Sequence, residues 1–206
     1  MFGFLKKLTV KQSDTVDFSQ LYYMHSAWIR GALHLEMVNQ IDDPLPIATG
    51  VIPPPQPLLF RHFQGGAPRD MVGTTWALLQ LVSQRAVDVL NENHFTGWTV
   101  YPAQVTGKRG DDIPGLYLFV VTGKSGPPDP SRRKKVMLPP PSPTGCSMPG
   151  WRGLFFDPST WDGSDIFCLE GTKHTIVTQA VKDALEKAKV RNFAFTALSE
   201  FESLWR

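Results

Sequence analysis

The chain has 206 residues, 42% apolar and 11% aromatic, which is ample for a sizeable core in one large or two small domains. Its 21 Lys and Arg nearly balance 19 Asp and Glu, and a net charge of +2 excludes nucleic-acid binding by bulk electrostatics. Cys146 and Cys168 are too few for a disulfide framework and lack the neighbours of a zinc site, so a reducing cytoplasm is the expected compartment.

In chain order, Met1 to Lys7 places its lysines after the apolar residues with no apolar run beyond, so it reads as neither a signal peptide nor a membrane span. Leu21 to Met24 and Ala32 to Val38 are expected as strands around a turn near Gly31, with helix the alternative. Seven prolines and Gly65-Gly66 interrupt Asp43 to Arg69, which predicts a long loop. The apolar content of that loop, from Ile47 to Phe63, implies that it packs over the core.

The next segment recurs without a gap 95 residues later, with Val82 to Val100 lying over Val177 to Phe195. Ser83 and Thr178 each precede an amphipathic run and are expected as helix N-caps. The inward stripes are Val82, Ala86, Val89, Leu90 and Val177, Val181, Ala184, Leu185, Ala188, spaced for a 3.6-residue period. Gly97 and Asn192 are expected to close the helices in left-handed conformation, before strands at Trp98 and Phe193. Between the units come a strand at Leu116 to Val121 and an irregular stretch at Gly123 to Pro149, with Arg132-Arg133-Lys134-Lys135 and a polyproline-like Pro139 to Pro143. Trp151 to Phe156, a turn-rich Asp157 to Asp165 and a strand Ile166 to Leu169 complete the series. The expected fold is α+β, a mixed sheet with two repeated helix–strand units packed on it and long Pro-rich loops. Residues 1–70 are expected as a strand-rich and Pro-rich segment on a 71–206 core, together forming one continuous domain.

No stretch carries a catalytic or metal-binding pattern. Gly123-Lys124-Ser125 lacks the earlier Gly of a phosphate-binding loop, since Leu118 stands there, and it reads as a turn after a strand. His25, His34, His62, His94 and His174 include no i, i+4 pair, and no Gly-x-Ser-x-Gly elbow exists. Asp157, Asp162 and Asp165 depart from a calcium loop and read as turn formers. Catalytic, cofactor-binding and metal sites are therefore expected to be none. Two surface candidates remain: Arg132, Arg133, Lys134 and Lys135 as a grip for phosphate or an acidic protein patch, and Trp151 and Trp161 beside Asp157, Asp162 and Asp165 as an aromatic and acidic recognition surface.

Leu81 to Leu90, Thr96 to Pro102, Leu116 to Leu118, Asp165 to Phe167, Thr175 to Thr178 and Lys182 to Leu185 together resemble a family of bacterial immunity proteins, long carried as a domain of unknown function. Those proteins accompany polymorphic, contact-delivered toxins, and the similarity runs from Trp76 to Phe201. The resemblance implies no enzymatic activity and no cofactor, but one-to-one binding of a cognate protein toxin in the cytoplasm, without membrane contact and with a homo-oligomer left open. A nuclease toxin would turn its basic cleft to Asp111, Asp112, Asp157, Asp162 and Asp165, whereas an acidic toxin would meet Arg132 to Lys135. The alternatives are a nucleic-acid or phosphate-binding module built on that basic run and an enzyme assembled from residues distant in sequence.

Overall fold

In the computed structural model the described residues are 16–27, 29–140, 142 and 144–204. The basic Met1 to Lys7 segment, Pro141 and Pro143 lie outside them. The elements in chain order are β1 (Leu21–Ser26), β2 (His34–Met37), α1 (Leu45–Ala48), β3 (Leu59–Gln64), β4 (Met71–Thr74), β5 (Gln80–Ser83), α2 (Gln84–Glu92), β6 (Trp98–Pro102) and β7 (Gln104–Thr106). They continue as β8 (Leu116–Val121), β9 (Gly123–Ser125), β10 (Lys134–Leu138), β11 (Met148–Arg152), β12 (Ile166–Leu169), β13 (Thr175–Thr178), α3 (Gln179–Lys187), β14 (Phe193–Ala197) and β15 (Glu202–Leu204). The molecule is α+β, dominated by mixed sheets.

Three sheets form, ordered β6-β8-β5-β4-β2-β3-β7, β14-β1-β13-β12-β9 and β10-β11-β15. Within the larger two, β8 lies antiparallel between β5 and β6, and β1 lies antiparallel between β13 and β14. The strand β8 is buried on both faces, which is why Leu116–Val121 reads as a continuous apolar run. Its Phe119 and Val121 meet α2 and α3 in one core, together with Met24, Val82, Val177, Val181 and Leu185. Leu116, Leu118 and Val120 point the other way, into a second core with Leu35, Phe60 and Leu81. A third core gathers Leu21, Phe167 and Ile176 with Phe18, Phe156 and Leu198. Residues 1–70 thus supply, from their described part, the strand β1 between β13 and β14 and two strands of the largest sheet.

Two stretches expected to be irregular contain regular structure. Within Asp43 to Arg69, α1 forms behind Pro44 and β3 pairs with both β2 and β7, burying Phe60. Six of its seven prolines precede the strand and Pro68 follows it, so none interrupts Leu59–Gln64, which is free to extend. Within Gly123 to Pro149, β9 pairs parallel with β12, and β10 pairs with β11. Gly123-Lys124-Ser125 is therefore a strand and not a turn. Pro149 stands where β15 does not reach, the edge position at which a strand tolerates a missing amide. The helices also close differently from expectation. His94 (φ 56°) and Lys189 (φ 54°) take the left-handed positions after α2 and α3, whereas Gly97 (φ 86°) and Asn192 (φ 72°) turn the chain into β6 and β14.

Candidate partner-binding surface

The basic run is held and not loosely solvated. Asp129 caps a 3-10 turn at Pro130–Arg132 by accepting from the Ser131 amide (2.9 Å) and hydroxyl (2.6 Å), and its carboxyl is lowered in pKa by those bonds. The Arg132 guanidinium carbon then sits 4.7 Å from the ring centroids of both Phe18 and Phe155. Lys134 and Lys135 stand on β10 opposite Arg152 and Trp151 of β11, with the Lys135 ammonium 5.9 Å from the Trp151 ring. Arg152 closes the row by an ion pair to Glu202 (2.8 Å). The register of the sheet β10-β11-β15 sets Lys135, Trp151 and Met137 (66% exposed) on one face and Lys134, Arg152 and Leu204 (47% exposed) on the other, with Arg132 and Arg133 on the segment that leads into β10.

The three aspartates and Trp161 are placed by local bonds. Asp157 caps the 3-10 turn Pro158–Thr160, and donation from the Ser159 amide and hydroxyl lowers its pKa. Asp162 accepts from the Lys124 amide (2.7 Å) and the Ser164 amide (3.0 Å) and hydroxyl (2.5 Å), which outweighs partial burial and holds its pKa down. Asp165 accepts from the amide and hydroxyl of Thr96, each at 2.9 Å. Trp161 packs on Phe167 with centroids 5.0 Å apart and donates its indole N–H to the Ser164 carbonyl (3.1 Å). Asp162, Asp165 and Trp161 fasten β9, β12 and the entry to β6, whereas Asp157 stands within electrostatic reach of Asp129 at the start of the basic segment.

Among the described residues no group of three or more His, Cys, Asp and Glu side chains is arranged to hold a metal ion. Burial pushes the Cys168 thiol up to about 12, which keeps it protonated and poorly nucleophilic. A feature missed in the sequence is a cleft of about 330 Å³ at the start of α2, lined by Arg69, Arg85 and Arg191 with Asp70 and Ser83. Those arginines are scattered along the chain, and no local motif joins them. Neither models of known protein families nor the curated proteins include one that matches this sequence.

Proposed function

We propose that this chain is an immunity protein that neutralises a cognate bacterial toxin by direct contact in the cytoplasm, acting by occupancy and not by catalysis. The observation that carries the reading is the basic segment Arg132–Lys135, in which Arg132 lies on the rings of Phe18 and Phe155 and Lys135 on that of Trp151. Arg and aromatic residues, together with Met, are the types enriched at interface hot spots, and Met137 lies exposed beside them. Because cation–π contacts already restrict Arg132 and Lys135, binding loses less side-chain entropy. The matching toxin surface is acidic.

A rigid frame behind that segment supports the same reading, and we infer that the frame is a duplication. The β5–α2–β6 and β13–α3–β14 units lie 95 residues apart, and the same offset relates β8 to β1 and β12 to β4. The pairing Val82↔Tyr117 corresponds to Val177↔Tyr22, and Met71↔Val82 to Ile166↔Val177. In one copy the Tyr117 hydroxyl donates to Gln84, whose amide donates to Asp88 (2.7 Å); in the other Tyr22 donates to Gln179, and Gln179 to Asp183 (2.6 Å). Each half takes its middle strand from the other. A scaffold interlocked in this way holds its loops and small third sheet in fixed positions.

The test is co-expression with the product of the adjacent reading frame. The expected result is rescue of growth and a stoichiometric complex that is weakened at least tenfold by the charge reversals Lys134→Glu and Lys135→Glu, as loss of hot-spot contacts predicts. No toxicity and no complex would move the basic row to salt-dependent polynucleotide binding, measured by the slope of affinity against salt.

A further inference from the structure

The cleft at the start of α2 lies away from the basic row, and its chemistry is different. Arg69, Arg85 and Arg191 line a concavity of about 330 Å³ in which Asp70 is the single acidic residue. Both oxygens of that carboxylate are engaged, Oδ1 by the Ser83 hydroxyl (2.7 Å) and Oδ2 by the Arg191 amide (2.7 Å). Among the described residues none of the three arginines forms an ion pair. Arg85 ties down one Nη2 on the Ala188 carbonyl at the end of α3. The Nε of Arg69 is enclosed by protein and has no hydrogen-bond partner, so only its terminal nitrogens are left to meet a ligand. Two amides at the start of α2 are already engaged, Gln84 with the Gly115 carbonyl and Ala86 with the Ser83 hydroxyl.

The duplication provides an internal control. Asp165 and Thr178 occupy, 95 residues on, the places of Asp70 and Ser83, and Thr96 stands in the place of Arg191. The Ser83 amide donates to the Asp70 carbonyl (2.9 Å) as the Thr178 amide does to that of Asp165 (3.0 Å), and the Thr96 amide reaches Asp165 as the Arg191 amide reaches Asp70. The backbone frame around the two aspartates therefore repeats in both halves, although only Ser83 adds a side-chain bond to its aspartate. The arginines are not part of it, since Ser164 and Ala180 replace Arg69 and Arg85 in the other half. Three cations that the fold does without, converging on one cleft, require another explanation.

We propose that this cleft is a binding site for a phosphate group, with Arg69 and Arg191 as its principal ligands and Arg85 at its rim. Three guanidinium charges against one carboxylate leave two positive charges, which match a phosphate dianion. Planar guanidinium forks suit phosphate oxygens in bidentate geometry, and the cleft volume accommodates a small phosphate ester as well as free phosphate. The inference does not depend on toxin binding.

Titration calorimetry on the full chain at constant ionic strength tests it, with inorganic phosphate, AMP and malonate as probes. The expected result is saturable binding of inorganic phosphate that weakens at least tenfold in Arg69→Gln and in Arg191→Gln, the loss of one charge-assisted bond. The exposed Arg109→Gln is expected to leave it unchanged, and circular dichroism confirms that each variant is folded. AMP binding tighter than phosphate would identify a phosphate ester as the ligand, and the reverse order would identify the free anion; both support the site. Absence of saturable phosphate binding, equal affinity for malonate, or undiminished binding in the folded arginine variants would overturn it.

Discussion

His174 shows how one side chain couples the third core to pH. Its ring lies 5.0 Å from that of Tyr23 and 4.9 Å from that of Phe201, and its Nδ1 is buried without a partner. Burial, helped by the positive charges of Lys173 and Arg133, holds its pKa below the ordinary histidine value. The folded protein therefore keeps the imidazole neutral where the unfolded chain accepts a proton. Stability must fall as pH drops below about 6.5, the unfolded value, and continue to fall until the lowered folded pKa is reached. Asp129, Asp157 and Asp162, whose pKa values are depressed, lose their contribution only in the more acidic carboxylate range. In His174→Phe, which fills the aromatic box without a titrating group, the urea midpoint should stay level between pH 7 and pH 5 while that of the natural protein declines. Parallel declines would refute the assignment. None of this was legible in the sequence, where His174 is one of five histidines without a pattern.

At the scale of elements, the two helices differ in how they start, although their sequences suggest equal caps. The Ser83 hydroxyl accepts from the Ala86 amide (3.2 Å) and donates to Asp70, whereas Thr178 makes no side-chain cap bond and its Oγ1 is buried without a partner. Ser83→Ala should therefore cost about 1–2 kcal/mol, since it removes a cap and strands Asp70. Thr178→Val, which keeps the shape and removes an unsatisfied atom, should be neutral or stabilising, as read from chemical denaturation. A penalty at Thr178 equal to that at Ser83 would contradict this. The helices themselves were readable, because cap residue, 3.6-residue period and following strand agree at each level. The strands β3 and β10 were not, since flanking prolines and paired lysines masked short runs whose partners are distant. The basic residues were found as a run, but their fixing on Phe18, Phe155 and Trp151 comes from tertiary contact. The cleft arginines converge only after folding.

At the scale of the whole molecule the exchange of β1 and β8 decides how the chain folds. Leu21-Tyr22 and Leu116-Tyr117 mark the strands that the inferred duplication equates, a two-residue identity too short to notice before their pairings are known. The strand β1 pairs with Thr175 to Thr178 and Phe193 to Ala197, so its partners are the most distant in the chain and their closure is slow. Could each half instead keep its own middle strand? If β1 took the place of β8, Tyr23 and His25 would stand where Leu118 and Val120 are wholly buried in the second core. A buried imidazole without a partner costs more than the apolar contact it replaces, so the exchange is enforced by the faces of the two strands. Fragments 1–109 and 110–206, divided at the exposed Gly110 turn, should each lack cooperative unfolding and should recover it when mixed, with near- and far-ultraviolet circular dichroism changing together. A cooperative transition in fragment 1–109 alone would mean that β1 can serve its own half. The interlock would then be a preference of the full chain, and the rigidity that the proposed partner binding invokes would have to come from the cores alone.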